Sequence, residues 1–309
     1  MLKRLFSFFA GAFLLMTSAA FGVILAVVIY LGISGHVLSA SFEPFESFKQ
    51  EGTASANPAD NRPEHVPPYE VIDASAGASI GSYDQFNDAF KAAAQIENSK
   101  IYYKQELVWE SHYDLPQSTF LSGVPLIGQF PELPRGCEVT SLAMLLNFHQ
   151  IEADKMILAE QIDKVMFEQN GLRGNPYEGF VGSMYTYDEP GLGVFHGPVA
   201  KLAQSYAGDR VADLTGSSFE DILYQTAMGR PVWVIITSTY NEVPAHRWQT
   251  WQTASGEIEI TYSQHSVVIT GFDEHYVYFN DPFLRSQRAP LKNFKKGWEQ
   301  YGSQAITIF

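Results

Sequence analysis

The chain has 309 residues, 46% hydrophobic and 17% charged, enough for one large core with appended segments. Its 34 acidic and 20 basic residues leave a net charge of −14, which argues against a nucleic-acid partner and favours solubility without specifying a substrate. A single cysteine excludes an internal disulfide and leaves a thiol that an oxidising compartment attacks unless it is buried or used.

Lys3 and Arg4 precede an uncharged, apolar run from Leu5 to Gly35. That run exceeds the ~7–15-residue core of a cleaved signal peptide and reaches the ~20 residues that cross a bilayer. Positive charge ahead of it places the N-terminus inside and the rest outside. Residues 1–40 therefore read as an uncleaved signal anchor, a single-pass transmembrane helix in the cell membrane with an extracytoplasmic domain behind it. Cleavage near Thr17-Ser18-Ala19-Ala20, giving a secreted protein, is the alternative. Beyond the span the balance is near −16. Residues 41–82 carry Pro, Ala, Ser, Gly and charge without apolar periodicity, as in Ser55-Ala56-Asn57-Pro58-Ala59-Asp60, and read as a disordered stalk. Gly77-Ala78-Ser79-Ile80-Gly81 matches a nucleophile-elbow pattern but lacks the strand-turn-helix context that the pattern needs.

Residues 83–120 read as a small helix–strand extension or module. Phe86, Ala89, Phe90, Ala93 and Ala94 recur at helical spacing, and 101–109 is strand-like. Residues 121–309 then have the size of one domain. Helices are expected over 137–149, 155–167 and 197–206, followed by strands over 232–237, 258–262, 266–271, 277–280 and 305–309. Helices first and antiparallel strands after give an α+β domain.

The chemistry concentrates at Cys137. It sits in Pro134-Arg135-Gly136-Cys137-Glu138 at the start of a helix whose apolar stripe runs through Val139, Leu142, Ala143, Leu145 and Leu146. A helix N-terminus favours thiolate over thiol, so fast labelling by iodoacetamide is expected. Gly136 would allow close backbone approach. His265 lies in a strand-like run, and Asp281 closes the next strand before Pro282. A three-residue turn at Asp273, Glu274 and His275 sets Val267 opposite Asp281, with His265 on the same face and in diagonal reach. A two- or four-residue turn presents Asn280 instead. Asp281 is favoured because a carboxylate better stabilises an imidazolium. Nucleophile, base and orienter thus stand in chain order. Gln129, eight residues before the cysteine, could place an amide N–H beside the Cys137 N–H as an oxyanion hole.

The remaining histidines carry weaker signals. His149 closes the first helix, where a cation suits the dipole, while His112, His196 and His246 sit in loop-like contexts and His275 in the turn. No His-Glu-x-x-His or Cys-x-x-Cys spacing points to a metal, and no cofactor is implied. Gly191-Leu192-Gly193 reads as loop and not as a dinucleotide motif. Aromatics at 177–187 and 248–251 would line a groove or fill the core.

Val124-Pro125-Leu126 through Gln129, Gly136-Cys137-Glu138-x-x-Ser141-Leu142-Ala143-Met144, Asn175-Pro176-x-x-Gly179-Phe180, Gly229-Arg230-Pro231-Val232, His265-Ser266-Val267-Val268-x-x-Gly271-Phe272 and Asn280-Asp281-Pro282 together resemble bacterial papain-like cysteine peptidases. The resemblance is to the group related to double-glycine leader (bacteriocin-processing) peptidases and covers about 121–309. It implies a papain-like fold with Cys137 as nucleophile, His265 as base then acid, Asp281 as orienter and Gln129 in the oxyanion hole. The substrate would be a peptide or protein, with cell-wall peptide as a further class. The transporter domains that accompany leader-processing members are missing from this sequence, as is the Cys-Gly-Ser-Cys-Trp signature of plant and lysosomal papains. Two other functions fit the same residues: an inactive peptide- or cell-wall-binding domain, and a thiol amidase or transpeptidase acting on peptidoglycan.

Overall fold

The computed structural model describes residues 65–309. The expected anchor at 1–40 and most of the expected stalk lie outside the described residues. Among those described, no helix is long and apolar enough to cross a membrane.

Regular structure is present within the stretch that the sequence suggests is stalk. Strands β1 (Tyr69–Asp73) and β2 (Ala78–Tyr83) form a hairpin inside the stretch read as stalk. Backbone pairing holds β2 in place, because its Ala-Ser-Ile-Gly-Ser sequence buries little. On β1, Tyr69 and Val71 alternate inward and are fully buried. The elbow-like 77–81 segment is therefore part of a β-hairpin. Helix α1 (Phe86–Ala93) follows. The run at 101–109 is a second hairpin, β3 (Ser99–Tyr103) and β4 (Glu106–Glu110), broken where Lys104 and Gln105 both take positive φ. The sheet order is β2-β1-β3-β4.

This segment is an extension of the main domain. Tyr69, Phe86 and Trp109 share one apolar cluster with Phe219, Val234, Val267 and Phe309. Polar contacts seal the seam: Trp109 Nε1 donates to Asp221 Oδ1 at 2.7 Å, and Arg230 Nη2 meets Glu106 Oε1 at 2.8 Å.

In the main domain, α2 (Cys137–Phe148), α3 (Lys155–Gln161) and α4 (His196–Ala207) come first. Helix α3 starts on an Asp154 side-chain cap and stops well before 167, where the chain turns into short strands β6 (Lys164–Val165), β7 (Glu168–Gln169), β8 (Leu172–Arg173) and β9 (Phe180–Val181). Strand β5 (Thr119–Phe120) lies upstream. Next come β10 (Val211–Asp213), helix α5 (Phe219–Ala227) and β11 (Val232–Thr237). They precede β12 (Gln249–Thr253), β13 (Gly256–Ile260), β14 (Gln264–Phe272), β15 (Tyr276–Asn280) and β16 (Arg288–Pro290). Helix α6 (Leu291–Gln300) and β17 (Ala305–Ile308) end the chain. The central sheet runs β10-β17-β11-β14-β15-β16, with β5 also beside β14.

Strand alternation gives this sheet two apolar faces. Val232, Val234, Ile236, Val267 and Ile269 pack with the extension and α5, while Trp233, Ile235 and Ile306 pack with α2 and α4. Helix α2 is thus sandwiched, with every residue from Cys137 to Leu146 buried. A one-sided stripe describes it poorly.

The β14–β15 hairpin decides whether Asn280 or Asp281 reaches His265. Phe272 pairs with Val277, so the turn holds four residues, the length that would present Asn280. A bulge at Thr270 then shifts the register, and Ile269 pairs with Phe279 and Val268 with Asn280. One extra residue on β14 restores the register that puts Val267 opposite Asp281. The Thr270 carbonyl, skipped by β15, accepts the Leu121 N–H at 2.7 Å.

Candidate active site

Gly136 precedes α2 because nothing larger fits: a Cβ there would lie 2.6 Å from Leu133 Cβ. Packing, more than substrate approach, requires the glycine. The Cys137 side chain is 6% exposed. Its Sγ donates to Glu138 Oε2 at 3.3 Å and is approached by the backbone N–H of Ser266, the residue after His265. Ser141 Oγ bonds the Ser266 carbonyl at 3.1 Å, tying α2 to β14.

His265 is fully buried. Its Nε2 lies 2.7 Å from Asp281 Oδ1, while Nδ1 is buried without a partner among the described residues. The Phe283 ring stacks on the imidazole at a centroid distance of 4.0 Å, and the Arg285 guanidinium lies over the other side of Phe283. Asp281 also accepts the Tyr240 hydroxyl at 2.7 Å and the backbone N–H groups of Phe283 and Arg285 at 2.8 and 3.2 Å. Burial works against its charge, but the bonds from His265 and Tyr240 prevail and hold the carboxyl at about 2. Burial lowers the His265 pKa, with Asp281 opposing. Asn280 turns away and donates to the Val124 and Pro125 carbonyls.

Two electrostatic expectations reverse. Burial first, and then the charge of Glu138, push the Cys137 thiol well above its ordinary value, outweighing the helix N-terminus. Burial, with Arg210 and Arg230 nearby, pulls His149 down to about 4, so it is neutral at the helix end.

Gln129 is fully buried, with both side-chain N–H donors spent on the Leu133 and Pro134 carbonyls at 2.9 Å and Oε1 without a partner among the described residues. In this arrangement the amide braces the loop that leads to Gly136 and offers no N–H to an oxyanion. Elsewhere, His196 heads α4 with Nδ1 2.6 Å from Asp213 Oδ2. Tyr177 packs on Phe195 and Trp248 on Tyr301 around a surface recess, whereas Trp251 is core. Among the described residues no His/Cys/Asp/Glu group could hold a metal ion.

Sequence reasoning missed Glu138, Gln264, Tyr240 and Phe283. Glu138 is 1% exposed, and its Oε1 accepts Gln264 Nε2 at 2.6 Å and Val194 N–H at 3.2 Å. Its carbonyl accepts Trp233 Nε1 at 3.0 Å. Gly193 makes room for this clamp, since a Cβ there would lie 2.4 Å from both Glu138 Oε1 and Gln264 Nε2. The one available signal was a carboxylate inside an apolar helix.

A thiol opens a central helix and a buried His–Asp pair lies on the antiparallel sheet packed against it, the elements a papain-like cysteine peptidase uses; among the described residues no hydrogen bond joins Cys137 Sγ to His265 Nδ1. The chain belongs to the Peptidase_C39 like family, whose model matches residues 121–306. It is 48% identical over 180 residues to YvpB of Bacillus subtilis (strain 168), an uncharacterized protein, covering 58% of this chain and 70% of that one. It is also similar to a Bacillus anthracis protein assigned as a C39-like peptidase, with a TM-score of 0.62 and 45% identity over 63% of this chain and 98% of that one. A double-glycine-motif protease from an AMS/PCAT transporter, crystallised with a leader peptide, matches at a TM-score of 0.31 and 18% identity over 64% of this chain and 98% of that one. Likeness at that level carries no argument about substrate.

Proposed function

We propose that the protein is a membrane-anchored, extracytoplasmic cysteine peptidase in which Cys137, His265 and Asp281 form the catalytic triad. One observation carries this reading. His265 is fixed at Nε2 by Asp281 and has no partner at Nδ1 among the described residues, on the strand whose next N–H approaches the sulfur. Nδ1 takes the thiol proton, and the thiolate attacks an amide carbonyl carbon. The protonated imidazole then gives its proton to the leaving amine, and water hydrolyses the thioester. Asp281 holds the ring and stabilises the imidazolium. The Cys137 N–H at the start of α2 would meet the oxyanion, joined by Gln129 Nε2 once it turns from a loop carbonyl.

The anchor at 1–40 and the location outside the cell are part of this proposal, resting on Lys3, Arg4 and the apolar run. Peptides, including cell-wall peptides, are the proposed substrates. Screening a peptide and muropeptide library with the wild type and Cys137→Ala tests the mechanism. Cleavage should vanish in the folded variant, and equal cleavage by both would refute it. A peptide-binding domain without catalysis is the second reading, favoured by the nearly closed sulfur and the ring over His265. Tight binding without turnover by the wild type would establish it.

A further inference from the structure

Beside the thiol stands a second ionisable group that the triad does not use. Glu138 follows Cys137 directly and is buried in a cage drawn from four elements. Helix α2 supplies Cys137, whose Sγ meets Oε2, and β14 supplies Gln264, whose Nε2 clamps Oε1. The segment before α4 supplies the Val194 N–H, and β11 supplies Trp233, bonded to the Glu138 carbonyl. After α6, Tyr301 feels the charge of both Glu138 and Cys137, but its hydroxyl donates to the Thr261 carbonyl. His265 is one residue beyond Gln264. Among the described residues no Lys, Arg or His forms an ion pair with Glu138. A buried carboxylate without a counter-ion is costly, so its burial against a lone thiol calls for an explanation beyond packing.

Building on the triad reading, we propose that Glu138 is a positioning residue that restrains Cys137: its Oε2 holds the Sγ proton, and its charge opposes transfer of that proton to His265 Nδ1. No atom is gained or lost. The proton sits between Sγ and Oε2 at rest and moves to Nδ1 in the active pair. Neutralising Glu138 removes the opposing charge and releases the thiol. Burial first, with its backbone and Cys137, Gln264 and Val194 bonds opposing, raises this carboxyl to about 7. The restraint therefore fades as pH falls through that value and tightens as pH rises through it.

Glu138→Gln isolates the charge. An amide keeps an acceptor for Gln264 and Val194 and turns an N–H toward the sulfur. The thiolate is read in the full chain, in detergent, as the pH-dependent ultraviolet absorbance difference between each protein and its own Cys137→Ala control, with tyrosine ionisation followed separately in its longer-wavelength band because Tyr301 feels both groups. The midpoint should fall by at least about one unit in Glu138→Gln, a tenfold gain in thiolate fraction at neutral pH. In the wild type it should lie above the midpoint in guanidinium, where the thiol is free. An unmoved midpoint in the folded variant overturns the restraint. So does a native wild-type midpoint at or below the unfolded one, a measurement that stands even if the variant does not fold. The kcat/KM of the wild type should also fall as pH rises through about 7, and the variant should lack that limb. Because absorbance does not need turnover, a shifted midpoint without any peptide cleavage would sink the peptidase reading alone. Cysteine-dependent cleavage with an unmoved midpoint would sink this inference alone.

Discussion

Replacing Asp281 by Asn tests the charge at the centre of the site. The carboxylate is fully buried and accepts from His265, Tyr240, Phe283 and Arg285, and it titrates at about 2 instead of 3.8. The folded value is below the unfolded one, so the stabilisation is complete above the unfolded value and is lost as pH falls through the folded one. The shift is worth about 2.5 kcal/mol at pH 7, and about half of that at pH 3. Asn keeps an acceptor for His265 but points an N–H toward the Arg285 N–H and removes the negative charge. Denaturant unfolding of wild type and Asp281→Asn should differ by about 2–3 kcal/mol at pH 7, narrowing by about half at pH 3. Activity should fall by about two to four orders of magnitude, through loss of imidazolium stabilisation. A stability gap that is the same at both pH values would refute the assignment of charge to this residue.

Three further outcomes follow from the packing. Iodoacetamide should label native Cys137 much more slowly than the same chain in guanidinium, since the sulfur is buried and its ionisation opposed; equal rates would contradict the site as described. Gly193→Ala should cost about 1–3 kcal/mol in chemical denaturation, because its Cβ would collide with the Glu138–Gln264 clamp. Trp109→Phe should lose about 1–3 kcal/mol by leaving Asp221 short of a donor, in one cooperative transition monitored by circular dichroism. Separate melting of an extension would show that residues 69–110 fold independently.

The sequence was most legible where one physical signal dominated. The helix at Cys137 and the strands at Val232–Thr237 and around Val267 are apolar runs with clear boundaries. The His265–Asp281 approach was expected from a three-residue turn, but the structure reaches it through a four-residue turn and a compensating extra residue on β14. The bulge at Thr270 was hidden, since no residue there announces it. Strand β2 escaped because pairing partners hold it in place of apolar content, although Tyr69 and Val71 on β1 alternate plainly. Helix α5 had a readable start in the Ser218–Asp221 capping box, whereas α6 is rich in lysine and buries only Phe294, Gly297 and Trp298. At the site itself, helix-dipole reasoning gave the wrong sign for the thiol because it omits solvent exclusion and the adjacent carboxylate.

The skipped residue at Thr270 also restricts how this molecule can vary. The loop at 273–276 tolerates a change of one amino acid only if the kink upstream disappears or doubles, since otherwise Asn280 and Asp281 exchange places beneath the imidazole. Length changes in two distant-looking spots are therefore locked together, and a graft of a shorter hairpin tip would bring along a different partner for His265.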